Sequence, residues 1–249
     1  MRKFTKTTTL AALAGLALAA SSAHAATIYS ETFSGLGTSV LNGTTPDEGG
    51  GLWVASADWK ADGSIAGGTS GNDDDSAFLS FVPTSGNVYT VSATVTQPTS
   101  GSNATAWVGL GFTASNVTGS HSSVAGFWSA PNNASPWMIY RGNSEVNTYA
   151  GPGATVPEVE GNYGGTITMS IELDTTADQW TAEWFINGSS VRVVDYSTNP
   201  TITHVGFGRE NGAISSLTSF SLTAIPEPGA YALLAGLTGL VFVMLRRRR

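Results

Sequence analysis

Alternation of apolar and polar side chains dominates the chain between residues 26 and 224. Over residues 166–174, Ile167, Met169, Ile171 and Leu173 point one way, and Thr168, Ser170, Glu172 and Asp174 the other. That two-residue period belongs to an antiparallel strand with one face buried. Trp180, Ala182, Trp184 and Ile186 repeat it and run into Asn187-Gly188, a dipeptide that tight hairpin turns prefer because both residues tolerate positive φ. Residues 191–195 then form the returning strand of a hairpin. Further strands are predicted over 27–33, 77–82, 88–96, 104–113, 124–129, 137–141, 201–209 and 217–224. Between them lie turn-rich spacers such as Pro83-Thr84-Ser85-Gly86. Outside the two termini no stretch of useful length has helical periodicity. Many short strands with frequent turns predict an all-β fold, a two-sheet antiparallel jelly-roll sandwich. Residues 35–51 and 142–165 read as long surface loops.

The termini break this pattern. Arg2, Lys3 and Lys6 precede an uncharged apolar run over residues 10–20, and Ala23-His24-Ala25 follows. A basic start, a short apolar stretch and a small-x-small site predict a signal peptide over residues 1–25, cut after Ala25 by signal peptidase. At the other end, residues 230–245 are uncharged and mostly apolar, and Arg246, Arg247, Arg248 and Arg249 close the chain. The apolar run is near the lower length for a transmembrane helix. Its arginines would stay on the cytoplasmic side, which places the preceding domain outside.

Pro226-Glu227-Pro228, the apolar run and the terminal arginines, in that order, resemble the PEP-CTERM sorting signal of Gram-negative bacteria. The resemblance covers the last 24 residues. It implies recognition by an exosortase, a membrane-anchored stage through the C-terminal helix, and traffic linked to extracellular polysaccharide at the cell surface or in the matrix. The domain organisation that follows is a signal peptide over 1–25, a β-sandwich over 26–224 and a sorting signal over 225–249.

All 18 acidic residues lie between residues 26 and 228, against only Lys60, Arg141, Arg192 and Arg209, so this region carries a net charge of −14 rather than the −7 of the whole chain. Such a surface repels phosphate backbones, which argues against a nucleic-acid partner. The chain has no cysteine, which removes disulfides, thiol catalysis and zinc–thiolate sites.

Within residues 26–224 a second likeness lies in the order of elements. Glu31-Thr32-Phe33, a Trp-rich segment and an Asp-rich loop come early, and a Trp-rich hairpin and a Gly-Phe-Gly strand come late. Together these are similar to the concanavalin A-like, or laminin-G-like, jelly rolls. That similarity implies a carbohydrate-binding or adhesive module, with a glycoside hydrolase as the alternative. Laminarinase-type hydrolases of this fold use Glu-x-Asp-x-x-Glu. Here Glu172-Leu173-Asp174 supplies the first two acids, about 7 Å apart by strand rise, but Ala177 stands where the second glutamate belongs. A retaining mechanism needs two carboxyls about 5–5.5 Å apart across the sugar bond, so no catalytic residues are assigned. A passive structural role in the envelope is the third reading.

Two groups of residues are candidates for ligand contact. Asp73, Asp74 and Asp75, with Asp58 and Asp62 upstream, form an acidic loop that either binds calcium, which takes oxygen ligands, or is merely hydrated. Trp107 shares a strand face with Gly109 and Gly111, opposite Val108, Leu110 and Phe112. A ring beside bare backbone either stacks on a sugar or lies under a loop. Trp128, Trp137, Tyr140 and Arg141 fall in the next two predicted strands and are candidates for the same groove.

Overall fold

The computed structural model describes residues 25–34, 37, 39–64, 75–99, 106–114, 135–151, 158–210, 213, 215–226 and 244. Residues 1–24 of the predicted signal peptide, Ala23 among them, Asp73, Asp74, the predicted strand 124–129 with Trp128, Glu227, Pro228 and Arg246 to Arg249 lie outside them. Among the described residues no helix is long and apolar enough to cross a membrane; residues 230–245, apart from Met244, are not among those described.

Thirteen strands form among the described residues: β1 (Ala26–Glu31), β2 (Val54–Ala55), β3 (Asp75–Ser80), β4 (Asn87–Thr96), β5 (Trp107–Thr113), β6 (Trp137–Arg141), β7 (Glu145–Tyr149), β8 (Glu158–Asn162), β9 (Thr166–Asp174), β10 (Thr181–Ile186), β11 (Ser189–Asp195), β12 (His204–Glu210) and β13 (Leu217–Pro226). They build a six-stranded sheet in the order β1-β13-β4-β9-β10-β11 and a seven-stranded sheet in the order β2-β3-β12-β5-β6-β7-β8. The result is the all-β, two-sheet antiparallel arrangement of a jelly-roll sandwich.

Alternation explains the six-stranded sheet directly. In β9 and β10 every second residue is buried, and those residues are the Ile167–Leu173 and Ala182–Ile186 sets. Trp184 is fully buried between the sheets, and Trp180 packs against the core from its edge. The Asn187-Gly188 turn has φ of 51° and 78°, which suits a two-residue turn with both centres left-handed. Asn187 also caps the neighbouring strand, its Oδ1 accepting the Thr168 amide at 2.9 Å.

The seven-stranded sheet contributes Ala77, Leu79, Val108, Leu110, Phe112, Met138, Tyr140, Val146, Val205 and Phe207 to the same core. Residues 39–64 close one end of it. Trp53 and Trp59 from this segment pack their rings on Phe207, with centroids 5.1 and 4.6 Å apart. Burying a ring of this size removes about 150–250 Å² from water, on the order of 4–6 kcal/mol at about 25 cal/mol per Å². Polar closure adds to this: Trp53 N–H reaches Thr44 O at 2.9 Å and Leu41 N–H reaches Trp59 O at 2.9 Å.

One segment read from sequence as a loop, residues 142–165, contains two strands, β7 and β8. Residues 25–34 and 215–226 meet at the opposite edge. Ala26 pairs with Ala224 in the β1–β13 ladder, so the two ends of the unit Ala26–Ala224 emerge side by side. Ala25 lies exposed immediately ahead of β1, and Pro226, the first residue of the Pro226-Glu227-Pro228 tripeptide, is the last residue of β13.

Candidate functional site

The outer face of the seven-stranded sheet is unlike that of its partner. Strand register sets Phe78 beside Gly206 and Gly206 beside Gly111. Gly111 lies beside Trp137, and Trp137 beside Tyr149. One row away, Gly208 faces Gly109, Gly109 faces Ile139, and Ile139 faces Asn147. A third row carries Glu210, Trp107 and Arg141. Glycines at the centre therefore make a floor of bare backbone, flanked by aromatic rings on both sides.

The rings occupy that floor. A Cβ on Gly109 would stand 3.1 Å from the Trp107 ring, one on Gly111 2.5 Å from Trp137 Cβ, and one on Gly206 2.9 Å from the Phe78 ring. Trp137 and Tyr149 stack with centroids 4.0 Å apart and planes at 15°, and Trp107 leans on Trp137 at 5.7 Å. With Ile139 these residues form a second apolar cluster, separate from the main core.

Polar groups surround it. The Trp107 indole N–H donates to Glu210 Oε2. Arg141 Nε donates to Asn147 Oδ1 at 2.6 Å, and Asn147 Nδ2 donates to Glu145 Oε1 at 2.8 Å. Asn143 Nδ2 holds the other oxygen of Glu145 at 3.1 Å. These amides, Asn147 first and then Asn143, hold the Glu145 carboxyl below its ordinary range, and the Arg141 charge adds to the effect. Glu145 is therefore a fixed anion. Burial raises the Tyr149 phenol; Arg141 opposes that rise, while Glu210 and Glu145 add to it. The three charges thus converge on one phenol.

The turn that carries Asn143 and Glu145 is itself anchored. Ser144 takes a left-handed φ of 74°. Gln97 Nε2 donates to Gly142 O and to Ser144 Oγ, both at 2.9 Å, and Tyr163 N–H donates to Ser144 O at 2.7 Å. Contacts from two other segments, at Gln97 and Tyr163, thus fix the turn in place.

The structure separates the residues proposed from sequence. Trp107, Trp137 and Arg141 share this face, as their alternation indicates. Trp107 is only 1% exposed and Trp137 0%, so neither ring offers a free stacking surface. The reading of Trp107 as a ring that is covered prevails over the reading as an open platform. Tyr140 does not belong to the groove: it points into the main core, where its hydroxyl donates to Tyr163 O at 2.8 Å. Asp75 is not a hydrated calcium ligand. It is 4% exposed at the start of β3 and receives two bonds from Arg209, whose positive charge disfavours a cation there. Asp58 also engages Arg209, at 2.8 Å, and Asp62 accepts from the Ser64 amide at 3.0 Å. Among the described residues no group of three or more His, Cys, Asp or Glu is arranged to hold a metal ion.

Glu172 and Asp174 lie on the outer face of the other sheet. Burial raises the Glu172 carboxyl, and the charges of Glu183 and Asp174 raise it further. Glu183 stands directly opposite Glu172 in the β9–β10 ladder. Sequence reading missed Asn147, Glu145, Tyr149, Glu210 and Phe78. The first three belong to β7, whose alternation, Glu-x-Asn-x-Tyr against Val146 and Thr148, was the available signal.

The fold is similar to that of several solved structures. The carbohydrate recognition domain of Emp47p superposes with a TM-score of 0.50 at 12% identity, over 82% of this chain and 97% of that one. An endo-1,3-β-glucanase from Streptomyces sioyaensis gives 0.48 at 10% identity, over 81% and 97%. A seed lectin of Lotus tetragonolobus gives 0.46 at 12% identity, over 75% and 97%. Likeness at such identity is a likeness of fold. No family model matches the chain, and no curated protein matches it.

Proposed function

We propose that this chain is an exported, non-catalytic carbohydrate-binding protein whose site is the outer face of the seven-stranded sheet. One observation carries the reading: the Arg141–Asn147–Glu145 chain of hydrogen bonds stands beside the Trp137–Tyr149 stack over a glycine floor. Sugars present hydroxyls in fixed directions, and planar guanidinium, amide and carboxylate groups held by their neighbours match that geometry. The buried rings and the buried Asn147 set the shape of the site, and the partly exposed Arg141 and Glu145 make the contacts. The similarity in fold to the carbohydrate recognition domain of Emp47p is compatible with this use.

The arrangement favours binding over hydrolysis. Glycoside cleavage needs a carboxyl raised enough to donate a proton, next to a second carboxylate. Glu145 is held ionised at this face. Among the described residues, the raised carboxyls of Glu31, buried at the end of β1, and Glu172, on the opposite sheet, stand away from this face.

The export half of the proposal is supported by the sequence: signal peptidase cleavage after Ala25, exosortase recognition at Pro226-Glu227-Pro228, and an apolar helix over residues 230–245 ended by Arg246 to Arg249. Extracellular polysaccharide at the surface of a Gram-negative bacterium is the proposed partner. A glycan array probed with the purified protein, with an assay for released reducing ends, tests the binding half. Retention on a glycan without release supports it; release, or retention on no glycan, opposes it. Truncation after Ile225 tests the sorting half, which fails if the truncated chain reaches the same destination.

A further inference from the structure

Resting on the carbohydrate-binding reading above, we propose that the site selects polysaccharides bearing free amino groups and rejects uronic-acid polymers. Among the described residues, the charges around the ring cluster are two carboxylates, Glu145 and Glu210, and one guanidinium, Arg141. That guanidinium is committed through Nε to Asn147 at 2.6 Å. All three charges act on the Tyr149 phenol, so they surround a common patch rather than separate ones. The patch carries a net negative charge within a region whose overall balance is −14. An incoming uronate would meet two carboxylates against one guanidinium, which costs affinity and slows encounter.

Glu145 has the capacity to receive a donor. A carboxylate accepts about four hydrogen bonds, and Asn147 and Asn143 supply one to each oxygen. The two amides fix the carboxylate in place and leave each oxygen with a further lone pair. A neutral hydroxyl satisfies such a position. A sugar ammonium satisfies it with a charge-assisted bond, which is about twice as strong. Glu210 is oriented by the Trp107 indole N–H on the same outer face, so an ammonium lying over the patch faces a carboxylate from either side.

Retention of the full chain in mild detergent is compared on immobilised chitosan, its fully N-acetylated counterpart and alginate, at a pH where the chitosan amine is charged. The expected order is chitosan, then the acetylated polymer, with alginate not retained. General attraction of a polyanionic protein to a polycation is separated by two double variants of equal charge change. Glu145→Gln/Glu210→Gln is expected to reduce the preference for chitosan about tenfold, the equivalent of about 1.4 kcal/mol. Glu172→Gln/Glu183→Gln, on the opposite sheet, is expected to leave it intact. Equal losses in both double variants, or none in either, overturn the proposal, as does retention on alginate. Failure of the wild-type chain to bind any of the three or any array glycan instead removes the underlying binding site.

Discussion

Arg209 and Asp75 form a buried ion pair across the β12–β3 ladder, with Arg209 Nε and Nη2 both donating to Asp75 Oδ2, at 2.8 and 2.6 Å. The Arg209 side chain is fully buried, and it also donates to Ala213 O at 3.0 Å and to the partly exposed Asp58 at 2.8 Å. Removing one member of such a pair leaves an uncompensated charge in the interior. Arg209→Met is expected to lower unfolding free energy by about 3–5 kcal/mol, and Asp58→Asn by less than about 1 kcal/mol. Urea denaturation of the two variants checks the ordering; equal effects would contradict it.

The glycine floor predicts a graded response. A Cβ at Gly206 would fall 2.0 Å from Ala77 O, one at Gly111 2.5 Å from Trp137 Cβ, and one at Gly109 3.0 Å from Met138 O. Gly206→Ala is expected to be the most damaging, then Gly111→Ala, then Gly109→Ala, with overpacking costs of about 1–3 kcal/mol or more. Melting temperatures of the three variants give the test.

Gly188→Ala separates backbone from packing. Nothing lies within 4 Å of its added Cβ, but φ is +78°. The expected loss is about 1–2 kcal/mol, seen in thermal unfolding without a change in the folded spectrum.

Glu31 predicts a pH dependence. It is 2% exposed. Burial raises its carboxyl first, and Asp47 adds to the rise, while the Phe33 amide, which donates to Oε1 at 2.8 Å, and Trp53 oppose it. A carboxyl raised in the folded state holds its proton more tightly there than in the unfolded chain. Its stabilising contribution is full below the ordinary carboxylate range and is lost as pH rises through the folded value. Glu31→Gln should therefore stabilise the protein at neutral pH relative to wild type and flatten its stability curve above the ordinary range. A wild-type curve parallel to that of the variant would contradict this.

Much of the six-stranded sheet was legible because one face is buried and the other solvated. Residues 166–174 form β9 with the predicted bounds, and the Trp184 hairpin closes on Asn187-Gly188 as its dipeptide indicates. The seven-stranded sheet was less legible for a physical reason. β5 and β6 were read as strands, but nearly every residue of β7 is buried, so the contrast between its faces disappears. β7, flanked by the glycines of residues 142–165, passed for a loop, and Asn147 and Tyr149 went unseen with it. Asp75 was misread for a related reason: adjacency to Asp73 and Asp74 suggested solvent, whereas its partner is 134 residues away on β12. Composition alone cannot reveal such a pairing.

The central claim is tested most directly at Asn147, which joins Arg141 to Glu145. Retention of wild type and Asn147→Ala is measured on immobilised β-glucan, mannan, chitin and chitosan, with melting temperature followed in parallel. The account predicts that wild type is retained on at least one polymer. The variant should remain folded and lose about tenfold or more in affinity, as expected when hydrogen bonds to charged groups worth about 1.5–3 kcal/mol are removed. A folded variant that binds as wild type does would contradict it.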